Sequence, residues 1–124
     1  MDAVKRPCKG DYLDKFLQPA ILSLLCEGSY HGFYLLTELE RRGLVSNADA
    51  TGFYRTLHKL EDDGKLSSTW DVGEGEKPKK VYSITEKGIT CLKNWQNTLK
   101  SYVKLVEDMS CAVDKALLKL PGEI

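Results

Sequence analysis

The sequence predicts a mainly α-helical (α+β) fold with three short helices, a charged two-stranded hairpin and one long C-terminal helix. Apolar residues recur at helical spacing up to about residue 63. Two alternating runs, 66–72 and 81–85, then flank a segment rich in Gly, Glu and Lys. From Leu92 onward, apolar residues step by three and four without a break, which is typical of one long helix.

Length, charge and cysteine spacing narrow the class of protein. The 124 residues, 42% hydrophobic and 29% charged, suffice for one globular core. Lys plus Arg and Asp plus Glu both number 18, so the net charge is zero, which argues against nucleic-acid binding by bulk charge but not by a local basic face.

No apolar run reaches membrane-span length and the N-terminus has no apolar signal region, so we expect a cytoplasmic protein. We expect no metal or cofactor, because no CxxC pair or zinc-ligand spacing occurs among Cys8, Cys26, Cys91 and Cys111.

The first helix is predicted to follow Asp11, which can act as its N-cap. Pro19 should kink this helix or restart it near Gln18, because proline removes a backbone donor. The apolar run then ends at Cys26, interpreted as a small core residue. Gly28 is the expected C-terminal cap.

The second helix is predicted from about His31 to Arg42, with Gly43 ending it. Glu38 and Arg42 form a favourable i,i+4 pair. Its expected buried face consists of Phe33, Leu35, Leu36 and Leu39.

The third helix is predicted over about residues 49–63 and ends at Gly64. Phe53, Leu57 and Leu60 fall at i, i+4 and i+7 and should face inward. Residues 61–63 are all acidic, so this end of the helix should stay away from a polyanion and only its front could approach one.

The hairpin tip is predicted over residues 73–80. Lys77, Lys79 and Lys80 would make it a compact cationic tip. Thr85 is the expected N-cap of the long helix.

The long helix has an apolar seam that its own chain cannot cover. Some 35 residues span about 50 Å, more than the diameter of the preceding globule. The economical solution is a second copy packed across a two-fold axis. We therefore predict domains at 11–85 and 86–120. The predicted homodimer interface contains Leu92, Trp95, Leu99, Tyr102, Val106, Met109 and Val113.

Three helices followed by a two-stranded wing is the order of a winged helix-turn-helix domain, whose third helix enters the DNA major groove. There, Arg55 could pair with guanine and Asn47 with adenine. The candidate contacts to double-stranded DNA are Asn47, Thr51, Gly52, Tyr54, Arg55, His58, Lys59, Lys77, Lys79 and Lys80.

Three segments resemble the PadR family of bacterial transcriptional regulators. Residues 27–33 read EGSYHGF, residues 51–66 read TGFYRTLHKLEDDGKL, and residues 75–88 read GEKPKKVYSITEKG. The family commonly has EG-x-x-HGY, GTLYP-x-L-x-RLE-x-x-GLI and G-x-x-(K/R)-x-Y-x-(L/I)-T-x-x-G in this order. The chain departs from the pattern at 51–55, where Tyr54 is kept and Arg55 replaces the usual proline.

The resemblance implies a homodimeric DNA-binding regulator, more often a repressor than an activator, of the short subgroup that dimerises through one C-terminal helix. It also implies that Tyr54 contacts the DNA backbone. Trp95 and Tyr102 have two alternative interpretations: they only pack in the dimer interface, or they line a pocket there for a small aromatic or apolar effector. The resemblance favours the pocket, because relatives are regarded as sensors of phenolic compounds and drugs.

Two other classes of protein compete with this interpretation. A winged-helix protein-interaction module that does not bind DNA is favoured by the zero net charge and disfavoured by the polar front of the third helix. We do not expect an enzyme, because the sequence shows no nucleophile–base arrangement and no glycine-rich phosphate loop after a strand.

Overall fold

A computed structural model of the protein describes residues 16–45, 50–73, 75 and 77–121, and it confirms the predicted α+β fold class. The helices and strands of these residues, in chain order, are α1 (Leu17–Leu25), β1 (Tyr30–His31), α2 (Gly32–Arg41), α3 (Ala50–Asp62), β2 (Leu66–Asp71), β3 (Lys79–Ile84) and α4 (Glu86–Leu118).

The core lies where α1, α2 and α3 meet the sheet. The inward face predicted for α3 is confirmed, since its three predicted residues, Phe53, Leu57 and Leu60, are fully buried. Leu66 of β2 and Tyr82 of β3 complete the core from the sheet. The fully buried side chains of the three helices include Ile21, Leu22, Leu35, Leu39, Phe53, Leu57 and Leu60.

Pro19 occupies the first turn of α1, which begins at Leu17. The amide nitrogens of a first turn have no acceptor within the helix, so proline costs no hydrogen bond there. The predicted restart near Gln18 therefore agrees with the structure to within one residue. The predicted cap at Asp11 lies outside the described residues.

The predicted end of α1 is wrong in two respects. The amides of Cys26 and Glu27 donate to the carbonyls of Ser23 and Leu24 at 3.2 and 2.9 Å, which closes the helix with three-residue turns. Gly28 is not left-handed and is therefore not the expected cap. Cys26 lies on the exposed side of the last turn instead of in the core.

The buried stripe of α2 begins one residue earlier than predicted. Gly32, Leu35, Leu36 and Leu39 face the core at i, i+3, i+4 and i+7. Phe33, predicted to be buried, lies about 100° away around the helix and is 70% exposed. The predicted stop at Gly43 is confirmed, with φ at +77°.

Arg42 connects the chain after α1 to the end of α2. Its Nη1 and Nη2 donate to the two carboxylate oxygens of Glu27 at 2.7 and 2.9 Å. Its Nε donates to Glu38 at 2.8 Å, which confirms the predicted i,i+4 pair. Arg41 donates to the same carboxylate.

The stability of the protein should therefore fall in acid through Glu38. Hydrogen bonds from Arg41 and then Arg42 lower the pKa of Glu38 from 4.5 to about 2. A pKa lower in the folded than in the unfolded state stabilises the native state fully above pH 4.5, and this contribution disappears as the pH falls towards 2. Thermal unfolding between pH 5 and pH 2.5 should show a steeper fall in Tm for the wild type than for Glu38→Gln.

The exposed Glu40 provides the control for this titration. Glu40→Gln should follow the wild-type dependence of Tm on pH. Parallel curves for the wild type and Glu38→Gln would contradict the assignment.

The sheet has the order β1–β3–β2 and both pairings are antiparallel. Tyr30 pairs with Tyr82, and the β2–β3 register runs from Leu66 opposite Ile84 to Asp71 opposite Lys79. The predicted sheet contains only the two strands of the hairpin, and the structure adds β1 to it. Lys79 and Lys80, which are predicted to lie in the loop, are both paired within β3.

Thr85 is the N-cap of α4, as predicted. Its Oγ1 accepts a hydrogen bond from the Gly88 amide at 3.1 Å and donates one to the Gly64 carbonyl at 2.7 Å. One compact unit of the chain ends at Leu92 within α4, and a second begins at Lys93. No helix in the described part of the chain is long and apolar enough to span a bilayer.

Candidate nucleic-acid interface

The outer face of α3 carries an exposed polar stripe opposite its buried apolar stripe. Thr51, Arg55 and His58 are exposed at spacings of four and three, and Lys59 lies beside them. Asp62 continues this exposed stripe but is acidic, whereas the residues before it are polar or basic. The front half of α3 is thus polar to basic and its last turn is acidic, as predicted. Asn47, the candidate partner of adenine, lies outside the described residues.

Tyr54 is partly buried against the start of α2. A Cβ placed on Gly32 would lie 2.8 Å from the Tyr54 ring, so only glycine permits this approach. The ring also packs edge-to-face on Phe53, with 5.4 Å between centroids. Burial raises the pKa of the Tyr54 phenol. Tyr54 thus helps to fix α3 on α2.

Gly52 in α3 and Gly32 in α2 have different signals in the sequence. Gly52 is partly buried in the first turn of α3, and its carbonyl accepts a hydrogen bond from Thr56 Oγ1 at 3.0 Å. Gly52 is among the predicted DNA contacts, whereas the packing role of Gly32 is not among the predictions. A glycine at the first position of a buried helical stripe is the signal that could have indicated it.

Lys79 and Lys80 project to opposite faces of the wing, because neighbouring residues of a strand alternate. Lys79 lies opposite Asp71 in the register, and Lys80 lies opposite Trp70. The prediction that the three lysines form one compact cationic tip is therefore wrong, because Lys79 and Lys80 lie on different faces. Lys77 and Lys79 are exposed, whereas the Lys80 Nζ donates to Glu61 at 3.1 Å.

Glu61 makes contacts between α3 and the wing that sequence reasoning missed. Ser68 Oγ donates to its carboxylate at 2.5 Å, and this bond, with Lys80, holds the pKa of Glu61 below its usual range. Glu61 in turn raises the pKa of Lys80. The available signal was the strand alternation, which places Ser68 and Lys80 on the same face of the hairpin.

The other face of the wing carries a second polar contact. His31, the N-cap residue of α2, has its Nε2 3.3 Å from Asp71 Oδ2 on β2. The two strands that hold these residues are separated by β3. The side chains therefore span the middle strand.

In the described part of the chain no group of three His, Cys, Asp or Glu side chains could hold a metal ion.

The side chains of the predicted apolar seam on α4 become more exposed towards the C-terminal end of the helix. Leu92 packs against the core of the first compact unit. In the second unit, Trp95 and Leu99 are partly buried. Beyond them, Tyr102 is 37% and Val106 is 61% exposed, and Met109 and Val113 are both 54% exposed.

A helix-turn-helix pair followed by a β-hairpin wing and a long helix defines the class of winged-helix transcriptional regulators. Within this class the chain belongs to the transcriptional regulator PadR-like family, whose model matches residues 21–94. The family that the sequence motifs resemble is thereby confirmed.

The relatives agree with this assignment. A probable transcriptional regulator of Mycobacterium tuberculosis is 34% identical over 80 residues, which are 64% of this chain and 42% of the relative. The chain thus matches less than half the length of that curated relative.

Solved structures are similar over more of the chain. A transcriptional regulator from Clostridium thermocellum superposes with a TM-score of 0.72 and 25% identity, covering 81% of this chain and 95% of that one. A PadR family transcriptional regulator from Eggerthella lenta gives a TM-score of 0.62 and 26% identity, covering 72% and 79%.

Proposed function

We propose that the protein is a homodimeric, cytoplasmic transcriptional repressor that binds double-stranded DNA. The front of α3 would enter the major groove, and the wing would lie along the adjacent backbone. The observation that carries the proposal is the exposed stripe of Thr51, Arg55 and His58 on a helix whose opposite face is fully buried. Membership of a transcriptional regulator family supports the same conclusion.

The proposed contacts divide by chemistry. Arg55 would read a base edge, because its guanidinium can donate two parallel hydrogen bonds to guanine. Phosphates would be contacted by the exposed lysines Lys59, Lys77 and Lys79 and by the hydroxyls of Thr51 and Tyr54. Local charge would then matter more than the zero net charge of the chain.

The dimer part of the proposal rests on the outer half of the α4 seam. A second copy would cover its apolar side chains, and the two-fold axis would set the spacing of the two α3 helices on DNA. Release of DNA by a small aromatic or apolar ligand near Trp95 and Tyr102 stays a prediction from the family resemblance.

The experiment is fluorescence anisotropy with DNA from upstream of the protein's own gene and with random DNA, at two salt concentrations. We expect tight, fragment-selective and salt-sensitive binding with two chains per site. Weak binding that is equal for both DNAs would show that the upstream fragment does not contain the operator. No binding at low salt would overturn the proposal and favour a protein-interaction module.

Arg55→Ala should reduce the preference for operator over random DNA by about 5- to 100-fold, because one bidentate base contact is lost. Arg55→Lys keeps the charge but not the planar fork, so it should lose most of the same preference. Its binding to random DNA should stay near that of the wild type. If Arg55→Lys retains the full preference, Arg55 contributes charge and does not read a base.

A further inference from the structure

The carboxylate of Glu61 joins the last turn of α3 to both strands of the hairpin. Its Oε1 accepts from the Nζ of Lys80 on β3 at 3.1 Å, and its Oε2 accepts from Ser68 on β2 at 2.5 Å. Each oxygen therefore holds a different strand. A hairpin attached through both strands cannot swing about either one while the two bonds are made.

The surroundings of this contact make it stronger than an ordinary surface pair. The side chains of Lys80 and Glu61 are each 27% exposed, whereas those of the Lys104–Asp108 pair are 75% and 65% exposed. The Lys80 Nζ also lies 5.5 Å from the ring centroid of Tyr82, which is 3% exposed. Reduced solvent screening strengthens the ion pair, and the face of the Tyr82 ring separately stabilises the Lys80 ammonium in this position.

We infer that Glu61 is a positioning residue that fixes the wing on α3 through Ser68 and Lys80, and that Lys80 acts through Glu61 and not as a phosphate contact. This inference rests on the proposed function, in which α3 and the wing bind one DNA duplex. A wing held at a fixed angle loses less conformational freedom on binding. The contact would thus raise DNA affinity although Glu61 is itself an anion.

The sign of the Glu61→Gln effect tests the inference. If charge alone mattered, removal of an acidic group would tighten DNA binding. We expect operator affinity to fall about fivefold, the effect of losing a contact somewhat stronger than an exposed ion pair. Asp62→Asn is the matched control, because Asp62 is the exposed neighbour of Glu61 and loses the same charge. It should bind as the wild type or slightly more tightly.

The salt dependence separates the two lysines. Lys79→Met should lower the slope of log affinity against log salt by about 0.9, as expected for one lost phosphate contact. Lys80→Met should weaken binding about fivefold with the slope unchanged. The inference is overturned if Lys80→Met flattens the slope, or if Glu61→Gln binds DNA at least as tightly as Asp62→Asn.

Hydrogen exchange of the free protein distinguishes failure of the inference from failure of the proposed function. In Glu61→Gln and Lys80→Met, the amides of the paired strand residues at 70–71 and 79–80 should exchange about fivefold faster, while amides of α1 keep the wild-type rate. Lys79→Met should not change either rate. Unchanged hairpin exchange overturns the inference. Wild-type protein that binds no DNA overturns the proposed function and the role in affinity, and the exchange data then decide whether Glu61 holds the wing.

Discussion

Replacement of Gly88 by alanine should lower the free energy of unfolding by about 3 kcal/mol, towards the upper end for overpacking of a tight site. A Cβ on Gly88 would lie 2.2 Å from the carbonyl oxygen of Lys65 and 2.8 Å from a side-chain carbon of Ile84. The nearest atom belongs to the backbone, so no side-chain rotation relieves the clash.

The carbonyl of Lys65 cannot move without breaking other contacts. It accepts the Thr85 amide at 3.1 Å, and the Thr85 hydroxyl binds both Gly64 and Gly88. A displacement would therefore loosen the N-cap of α4 and the start of β2 together. Since alanine favours a helix over glycine by about 1 kcal/mol, propensity alone predicts the opposite sign.

Urea unfolding followed by circular dichroism measures this effect for Gly88→Ala. Thr90→Ala is the control, because it places alanine at an exposed position of the same helix. It should unfold within about 0.5 kcal/mol of the wild type, as is usual for surface substitutions. A Gly88→Ala protein as stable as the wild type would show that the helix start does not pack this closely.

Val106→Lys should convert the proposed dimer into a monomer. Val106 lies in the middle of the α4 seam and is 61% exposed in the single chain. In a two-fold dimer the substitution removes two apolar side chains from the interface and adds two like charges. We expect the dimer dissociation constant to rise at least about 100-fold. Operator affinity should fall by a similar or larger factor, because the two half-sites no longer bind as one ligand.

Sedimentation velocity measures the change in assembly, and anisotropy measures the change in DNA binding. Cys111→Lys is the matched control, because it adds the same charge to the same helix at an exposed position outside the seam. It should remain dimeric. A dimeric Val106→Lys protein would mean that the copies associate through another surface or that α4 has another partner.

The sequence predicted those features that depend on helical spacing and caps. The buried Phe53, Leu57 and Leu60 follow from i, i+4 and i+7, and the Thr85 cap follows from a hydroxyl residue just before a long apolar pattern. The prediction that Phe33 is buried was wrong because it relied on the large apolar side chain. The buried stripe in fact begins at Gly32, a residue with no hydrophobic signal. The prediction that Cys26 lies in the core was wrong because the apolar run of the sequence extends one residue past the end of α1.

The site was predicted less completely than the fold, because its key contacts join distant parts of the chain. The exposed face of α3 could be derived from the position of its buried face. The pair of Glu61 with Lys80 depends on how β3 passes the end of α3, and no local pattern contains this information. β1 has only two residues, which is too short for an alternating pattern to appear.

The pairing of β1 with β3 has a consequence for synthesis of the protein. Tyr30 meets Tyr82 roughly fifty positions further along the chain, and Tyr82 also completes the core. A growing chain that has left the ribosome only as far as α3 lacks this strand partner. Closure of so long a loop is favourable only once many contacts form together. The helices and the wing should therefore fold in one cooperative step, after Ile84 has emerged, and not in the order in which they are made.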